Sequence, residues 1–363
     1  MRRAIELARG GAGKVEPNPR VGAVLLRRGR IVAEGFHEAY GGPHAEVAAL
    51  RGTKGDTLVV TLEPCSTRGK TSACTEAIRR RGVRRVVWAL DDPGPENGGK
   101  AQAILEGAGV EVVRGVARRE AAPLLRWFRR ALALERPWVV AKWAMTLDGK
   151  IASREGDSRW VSGEAARAAV HELRGRCEAL AVGVGTVLAD DPLLTPRGRS
   201  RLSSPPLRIV FDSRLRTRPE ARLFSDRSSP VVIATGREAD PERERALRQR
   251  GAEVLRFGVD GEGRVEVTEV LRVLRQGGVR RLLLESGGAL AASFFAAGAV
   301  DQVIAFVAPK VAGGAGAPTP VGGAGVARMA QALPAAEWFE DRVGEDLQVV
   351  AFLGEGAALP GGA

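Results

Sequence analysis

Residues of the first half have the types and spacing of a metal site. His44 is followed two positions later by Glu46, and Cys65 and Cys74 lie downstream. One imidazole and two thiolates suit Zn²⁺, and three protein ligands leave the fourth tetrahedral position to a water. Zinc lowers the pKa of that water to roughly 7. Glu46 is close enough to face the water without binding the metal, so its expected role is proton transfer.

The spacing resembles the His-x-Glu and Pro-Cys-x-x-Cys pattern of nucleobase deaminases, but eight residues separate the cysteines. The longer loop Ser66–Ala73 must therefore return to the metal, and Cys74 would begin a helix whose dipole favours the thiolate. The alternative is that His44 is a loop histidine and both cysteines are small buried residues. Two of three cysteines and one of three histidines fall in the pattern, which favours zinc.

Other residues of these types have plainer interpretations. Cys177 is expected to be buried, and His37 and His171 are expected to be surface or core histidines. Asn18 lies between two prolines, which hold it rigidly where its amide can donate and accept towards a pyrimidine edge. Alone, Asn18 signals only a turn. Beside a deaminase site it becomes a candidate for substrate binding.

Composition limits the class of protein. The 363 residues have a net charge of +12 and contain no apolar run long enough to span a membrane. Three cysteines argue against a disulfide framework, and the N-terminus lacks an apolar signal segment, so we expect a cytoplasmic protein. Residues 1–136 contain most of the positive excess, which suits a phosphorylated substrate, nucleic acid or simply a solvated arginine-rich surface. Aromatic residues make up 5%, too few for base-stacking platforms.

Short apolar runs alternate with helical patterns, which predicts an α/β class. In the first half we expect helices at Ala4–Arg9, Ala45–Leu50, Cys74–Arg81, Ala101–Ala108 and 117–134. Strands are expected at Val21–Leu26, Arg30–Gly35, Thr57–Thr61, Arg85–Ala89 and Val110–Val113, the first two forming a hairpin. Pro137 breaks the pattern, so the predicted domains are 1–137, with 117–134 as a linker helix, and 138–353.

The second half continues the alternation. Helices are expected at Gly163–Arg174, Pro241–Arg250, Thr268–Gly277 and Gly288–Ala296. Strands are expected at Trp138–Trp143, Ala179–Gly183, Arg208–Asp212, Val231–Thr235, Arg281–Glu285 and Gln302–Val307. The glycine- and proline-rich segment 313–325 is expected to be a loop, and residues 354–363 a disordered tail.

No Gly-x-Gly-x-x-Gly fingerprint occurs in the second half, since the nearest sequence, 182–186, lacks the third glycine. Two other segments could bind a phosphate. Residues 183–191 run from a strand into a short helix, and residues 282–293 form a strand, a Ser-Gly-Gly turn and a helix. A Gly-Gly pair at a helix N-terminus presents backbone N–H groups to an anion. The alternative is a tight turn without a ligand.

The segments PNPRVGAVL, GGPHAEVAAL and TLEPCSTRGKTSACTEAI resemble the N-terminal domain of the bifunctional riboflavin-biosynthesis deaminase/reductase family. The eight-residue cysteine spacing is typical of that family, although Ser72-Ala73 replaces its usual pair of prolines. The segments AKWAMTLDGKIA, GDSRWVSG, LAVGVGTVLADDPLLTPR, IVFDS and LLLESGGALAASF resemble the family's reductase domain. The resemblance implies a cytidine-deaminase-like three-layer domain followed by a dihydrofolate-reductase-like domain that uses NADPH.

The resemblance also implies site residues in the second domain. Cofactor contacts fall on Ala144, Trp160, Thr186, Asp190, Ser213, Gly287, Gly288, Ala289, Leu290, Ala291, Ala292 and Ser293. Substrate contacts fall on Ser158, Arg174, Leu194, Arg197 and Glu285. Guanidinium groups such as those of Arg174 and Arg197 grip phosphate bidentately. Lys142 and Asp190 are both candidate proton donors in the reduction.

We therefore expect this chain to catalyse the two reactions of that family. Zinc-dependent deamination of 2,5-diamino-6-ribosylamino-4(3H)-pyrimidinone 5′-phosphate would precede NADPH-dependent reduction of its ribosyl group to ribityl. We expect a homo-oligomer, either dimer or tetramer, that binds neither nucleic acid nor membrane. Two alternatives remain open. One is a zinc deaminase of nucleobases or nucleic acid with a non-catalytic second domain, and the other is a chain in which one domain is only a dimerisation scaffold.

Overall fold

The computed structural model describes residues 1–67, 73–198, 202, 204–355 and 357–359. Contacts divide the chain into two compact units, Met1–Leu134 and Glu135–Ala363. Each unit is a β-sheet with helices packed on it, so the α/β class expected from the sequence is confirmed. None of the helices in the described residues is sufficiently long and apolar to cross a membrane.

The described part of the first unit contains a mixed sheet of five strands in the order β2-β1-β3-β4-β5. The strands are β1 (Gly22–Arg27), β2 (Arg30–Phe36), β3 (Thr57–Leu62), β4 (Arg85–Leu90) and β5 (Glu111–Arg114). β1 is antiparallel to both β2 and β3, whereas β3, β4 and β5 are parallel. The helices are α1 (Arg2–Arg9), α2 (Ala45–Ala49), α3 (Cys74–Arg80), α4 (Ala101–Glu106), α5 (Arg118–Ala121) and α6 (Arg126–Ala133).

The single helix expected over 117–134 is wrong. A 3₁₀ turn, Ala122–Leu125, separates α5 from α6. Pro123 lies at the start of this turn, where its missing N–H would leave a gap in a continuous helix. The buried Leu124 and Leu125 turn towards the core of the first unit.

Two glycines let helices approach the sheet of the first unit closely. A Cβ at Gly22 would lie 2.0 Å from the carbonyl oxygen of Ala4 in α1. A Cβ at Gly35 would lie 2.5 Å from the backbone nitrogen of Ala49 and 2.8 Å from the carbonyl oxygen of Ala45, both in α2. Helix α2 therefore rests directly on β2, and this contact sets the position of the residues at its N-terminus.

The described part of the second unit contains a nine-stranded sheet in the order β10-β9-β8-β7-β11-β6-β12-β14-β13. Its strands are β6 (Trp138–Thr146), β7 (Ala179–Gly183), β8 (Leu207–Phe211), β9 (Val231–Gly236), β10 (Ala252–Phe257), β11 (Arg281–Leu284), β12 (Gln302–Ala308), β13 (Ala335–Val343) and β14 (Asp346–Leu353). The pairs from β10 to β12 are parallel, and β14 joins β12 and β13 antiparallel. The helices are α7 (Glu164–Arg174), α8 (Val184–Asp190), α9 (Pro241–Gln249), α10 (Val267–Gln276) and α11 (Gly288–Ala296).

Three of these strands, β10, β13 and β14, were not predicted from the sequence. β10 and β13 lie at the two edges of the sheet, and most residues of β13 are exposed. In place of the disorder expected for 354–363, Ala357 and Leu359 pack against the core, and the Leu359 backbone N–H donates to the carbonyl of Phe295 at 3.0 Å. Residues 356 and 360–363 of that predicted tail lie outside the described residues.

A buried ion pair fixes the beginning of the second unit. Arg136 donates through both terminal nitrogens to the carboxylate of Asp301, at 2.6 and 3.0 Å. The Asp301 side chain is fully buried and also accepts the backbone N–H of Val139 at 2.9 Å. Arg136, two residues before β6, is thereby tied to Asp301, the residue immediately before β12.

Candidate active sites

Residues next to three elements of the first unit, β3 and the N-termini of α2 and α3, come together. His44 immediately precedes α2 in an extended conformation, Cys65 follows β3, and Cys74 is the first residue of α3. His44 Nδ1 lies 3.2 Å from Cys74 Sγ and 3.5 Å from Cys65 Sγ, and the ligand atoms of all three residues lie within 4.8 Å of one another. Tetrahedral zinc with ordinary bond lengths holds a nitrogen and a sulfur ligand about 3.6 Å apart. The donor set and its spacing therefore fit zinc.

The neighbouring groups favour ionisation of one of the two cysteines, Cys65. The hydrogen bond from the Cys74 thiol, together with contacts from His44, lowers the pKa of Cys65 to about 4 despite burial. The Cys74 backbone N–H also donates to Cys65 Sγ at 3.2 Å. Most of the expected loop Ser66–Ala73, residues 68–72, lies outside the described residues, including the Ser72 that replaces a family proline.

Glu46 is buried next to the three ligands. Its side chain is 4% exposed, it hydrogen-bonds with Cys74, and burial raises the pKa of its carboxyl above the ordinary value. It occupies the first turn of α2, so the Gly35 contact fixes its backbone with that of His44. A carboxyl of raised pKa beside a metal site can accept and return a proton.

His37 connects Asn18 to the metal cluster. Its Nδ1 lies 2.8 Å from the carbonyl oxygen of Pro43, which can only accept, so Nδ1 bears the proton. Nε2 therefore accepts from the Asn18 amide nitrogen at 3.2 Å. Burial lowers the pKa of His37 to about 4, and its ring contacts that of His44 edge-to-face. His37, expected to be either a surface or a core histidine, is buried, and the sequence did not indicate that it adjoins the site.

Glu63 and Asn97 hold the chain on either side of Cys65. The buried Glu63 carboxylate accepts backbone N–H groups of Asp92, Gly99 and Ala101, each at 3.1 Å. Asn97 Oδ1 accepts the backbone N–H groups of Ser66 and Thr67 at 3.1 and 3.2 Å. Side chains outside the ligand set thus fix the backbone that positions a ligand.

A cavity of about 660 Å³ lies in the second unit, at the carboxyl ends of β6, β7, β8 and β11. Ligands of open parallel sheets bind at this edge. Predicted site residues that line the cavity are Lys142, Ala144, Ser158, Arg174, Thr186, Asp190, Leu194, Ser213, Glu285, Gly287, Gly288, Ala289, Leu290 and Ser293. The structure therefore brings most of the predicted reductase residues together.

Four predicted contacts do not line this cavity. Trp160 is 63% exposed, and the Arg167 guanidinium stacks 4.5 Å above its ring. Ala291 and Ala292 lie within α11, where Ala291 is buried in the core. Arg197 is exposed, although its charge reaches His171, one helical turn before Arg174.

The Gly-Gly pair at the start of α11 combines both interpretations made from the sequence. A Cβ at Gly288 would lie 2.8 Å from the carbonyl oxygen of Thr319, so this glycine permits close packing. A Cβ at Gly287 would meet no atom within 4 Å, and Gly287 lines the cavity. The turn is therefore tight on one side and open to a ligand on the other.

A buried charged cluster forms one end of the cavity. Glu285 accepts from Arg174 Nε at 2.5 Å and Nη2 at 2.9 Å, and from Lys142 Nζ at 3.4 Å. Burial acts to raise the pKa of Glu285, but Arg174 and Lys142 outweigh it and lower this pKa to about 2. Burial lowers the pKa of Lys142, which makes its ammonium a stronger acid.

The sequence analysis missed two arginines of the cavity, Arg216 and Arg264. No motif distinguishes them from the other arginines of this chain. Cys177, expected to be buried, is 1% exposed, which confirms that prediction.

Comparisons with known proteins agree with both sites. The family model "Cytidine and deoxycytidylate deaminase zinc-binding region" matches residues 1–90, and "RibD C-terminal domain" matches residues 137–342. The chain is 40% identical to the riboflavin biosynthesis protein RibD of Actinobacillus pleuropneumoniae, covering 96% of this chain and 93% of that protein. It is 37% identical to RibD of Bacillus amyloliquefaciens, covering 98% and 96%.

Solved structures give the same result. The RibD structure of Acinetobacter baumannii has a TM-score of 0.70 at 32% identity and covers 98% of both chains. A deaminase/reductase structure from Thermotoga maritima has a TM-score of 0.67 at 34% identity and covers 97% of both chains. Fold, sites and matches define a two-domain enzyme in which a zinc-dependent deaminase is joined to a reductase. The chain belongs to the RibD family of riboflavin biosynthesis proteins.

Proposed function

We propose that this chain deaminates 2,5-diamino-6-ribosylamino-4(3H)-pyrimidinone 5′-phosphate in its first unit and reduces the resulting ribosyl compound in its second. The observation that supports this most strongly is the convergence of His44, Cys65 and Cys74 next to the buried Glu46. A related structure is described as a diaminohydroxyphosphoribosylaminopyrimidine deaminase and 5-amino-6-(5-phosphoribosylamino)uracil reductase, which supports the choice of substrate.

In the first unit, His44, Cys65 and Cys74 hold the metal, which when bound supplies the Lewis acidity that makes water nucleophilic at neutral pH. Glu46 takes a proton from the attacking water and delivers it to the amino group on C2. The C2–N bond breaks and ammonia leaves, and the proton that remains on the new C2 hydroxyl moves to the adjacent ring nitrogen as the C2 carbonyl forms. Asn18 holds the pyrimidine edge, and His37 fixes its amide orientation by occupying one N–H.

In the second unit, the cavity accommodates NADPH, which when bound supplies the hydride for C1′ of the ring-opened ribosyl group. Gly287 at the N-terminus of α11 offers backbone N–H groups to the cofactor phosphates. The lowered pKa of Lys142 and its place in the charged cluster support Lys142 over Asp190 as the proton donor. Arg174 uses two donors on Glu285, which leaves Arg197, outside the cavity lining, as the other candidate for the substrate phosphate.

A mass assay on the zinc-loaded chain tests both activities. Without NADPH, the substrate gains about one mass unit when an amine is exchanged for oxygen. With NADPH it gains about two more, from hydride and proton. Glu46→Gln abolishes the first gain while zinc remains bound, and the exposed Glu38→Gln retains both gains. If Glu46→Gln released ammonia at the wild-type rate, the proton-transfer role would be contradicted. If the wild type gave the first mass gain without the second, the reductase would remain unassigned.

The nucleic-acid alternative has less support, since the second unit holds a cavity with a buried charged cluster that most of the predicted reductase residues line. A homo-oligomer, dimer or tetramer, stays our proposal. It is supported by edge strand β13, on which Trp338 is 57% exposed, and sedimentation analysis tests it. A cytoplasmic location is proposed because none of the three cysteines forms a disulfide.

A further inference from the structure

The cavity of the second unit is long enough to separate a reacting end from a binding end. Lys142 lies on β6 and Ser213 lies two residues after the end of β8. Because β7 and β11 lie between these strands, three strand spacings separate them, or about 14 Å. An extended dinucleotide spans such a distance. With its nicotinamide near the charged cluster and its diphosphate near Gly287, its adenosine would lie over the end of β8.

The loop after β8 is held firmly. The fully buried Asp212 accepts both the backbone N–H of Thr217 at 2.7 Å and its hydroxyl at 2.8 Å. Leu215 is buried with φ at +50°, and its backbone N–H donates to the Asp212 carbonyl at 3.2 Å. Arg216 lies between these anchors, so its backbone is fixed while its side chain reaches the cavity.

The groups around this end suit an anion. Ser213 Oγ accepts the backbone N–H of Val265 at 3.1 Å, which leaves the hydroxyl proton to donate. Arg264 also lines the cavity, but Asp260 at 3.0 Å and Glu262 at 2.8 Å already neutralise it. Among the described carboxylates, none forms an ion pair with Arg216, so its charge is available at the mouth of the cavity.

We propose that Arg216, assisted by the Ser213 hydroxyl, binds the 2′-phosphate of NADPH and sets the preference of this enzyme for NADPH over NADH. This inference rests on the proposed use of a nicotinamide dinucleotide. The guanidinium donates to the phosphate oxygens in a charge-assisted contact that NADH, which has a 2′-hydroxyl, cannot match.

Calorimetric binding of NADP⁺ and NAD⁺ to the full-length chain tests the assignment without relying on turnover. Arg216→Gln should weaken NADP⁺ binding about tenfold, as expected for loss of a hydrogen-bonded charge, and change NAD⁺ binding less than about twofold. Arg218→Gln removes the same charge two residues away, from an exposed side chain that does not line the cavity, and should change neither. Equal losses for both dinucleotides, or none, would overturn the inference.

A fragment distinguishes the two ends of the cofactor. Adenosine 2′,5′-bisphosphate should show the same loss with Arg216→Gln, whereas 5′-AMP should not. If Arg216→Gln weakened the binding of NADP⁺ but not that of adenosine 2′,5′-bisphosphate, Arg216 would lie away from the 2′-phosphate and the inference would be overturned. If the wild type binds NAD⁺ as tightly as NADP⁺, the specificity inference fails but the reductase stands. If it binds neither, both fail.

Discussion

Glu285→Gln tests whether the charged cluster stabilises the second unit as well as lining its cavity. The carboxyl has a pKa of about 2 instead of 4.5, because Arg174 and Lys142 outweigh the effect of burial. At about 1.4 kcal/mol for each pH unit, the folded chain favours the ionised form by about 3 kcal/mol more than the unfolded chain does. Glutamine removes this contribution and leaves two buried cations facing each other, so unfolding should become easier by about 3 kcal/mol at pH 7.

The assay is urea unfolding followed by hydrogen exchange of peptides from β11, with peptides from β3 of the first unit as an internal reference. Because the folded pKa is depressed, the stabilisation is complete above pH 4.5 and is lost as pH falls towards 2. The difference between wild type and Glu285→Gln should therefore shrink below pH 4.5. Glu155→Gln, whose side chain is 83% exposed, is the control of equal charge. A loss under about 1 kcal/mol in Glu285→Gln, or one shared by the control, would refute the argument.

Two further changes probe the first unit. Cys74→Ser should reduce zinc, measured by elemental mass spectrometry after dialysis, from about one per chain to nearly none, while the buried Cys177→Ser retains it; full occupancy in Cys74→Ser would exclude that ligand. Gly35→Ala should destabilise the unit by about 1–3 kcal/mol and slow ammonia release, because the new methyl displaces α2, but it should not slow NADPH oxidation when the deaminated ribosyl compound is supplied directly. Gly261→Ala, with no atom near its Cβ, is the control, and unchanged deamination in Gly35→Ala would contradict the role of the contact.

The metal cluster could be predicted from the sequence because its chemistry demands particular residue types. Few side chains bind zinc, and three of them, with a nearby carboxylate, occur in a recognisable order. His37 has the same residue type but a role set by tertiary contacts. Its tautomer depends on the carbonyl of Pro43 and its partner is Asn18, and neither contact follows from spacing.

The second site was less predictable for a related reason. Arginine is so frequent in this chain that the sequence cannot separate Arg216, which lines the cavity, from Arg218, which does not. β13 was missed because most of its residues are exposed, so it lacks the apolar alternation of a half-buried strand. The helix expected over 117–134 failed at Pro123, where one residue outweighed the helix propensity of its neighbours.

The Arg136–Asp301 pair has a consequence for dissecting the chain. Asp301 is fully buried, and its charge is balanced by a residue that precedes the first strand of the second unit. A fragment that starts at Trp138 would retain the whole sheet but remove the Arg136 guanidinium from that buried carboxylate, a cost of several kcal/mol. A fragment that starts at Glu135 would keep the pair. The stability of the isolated second unit therefore depends on a residue that lies two positions before its first strand.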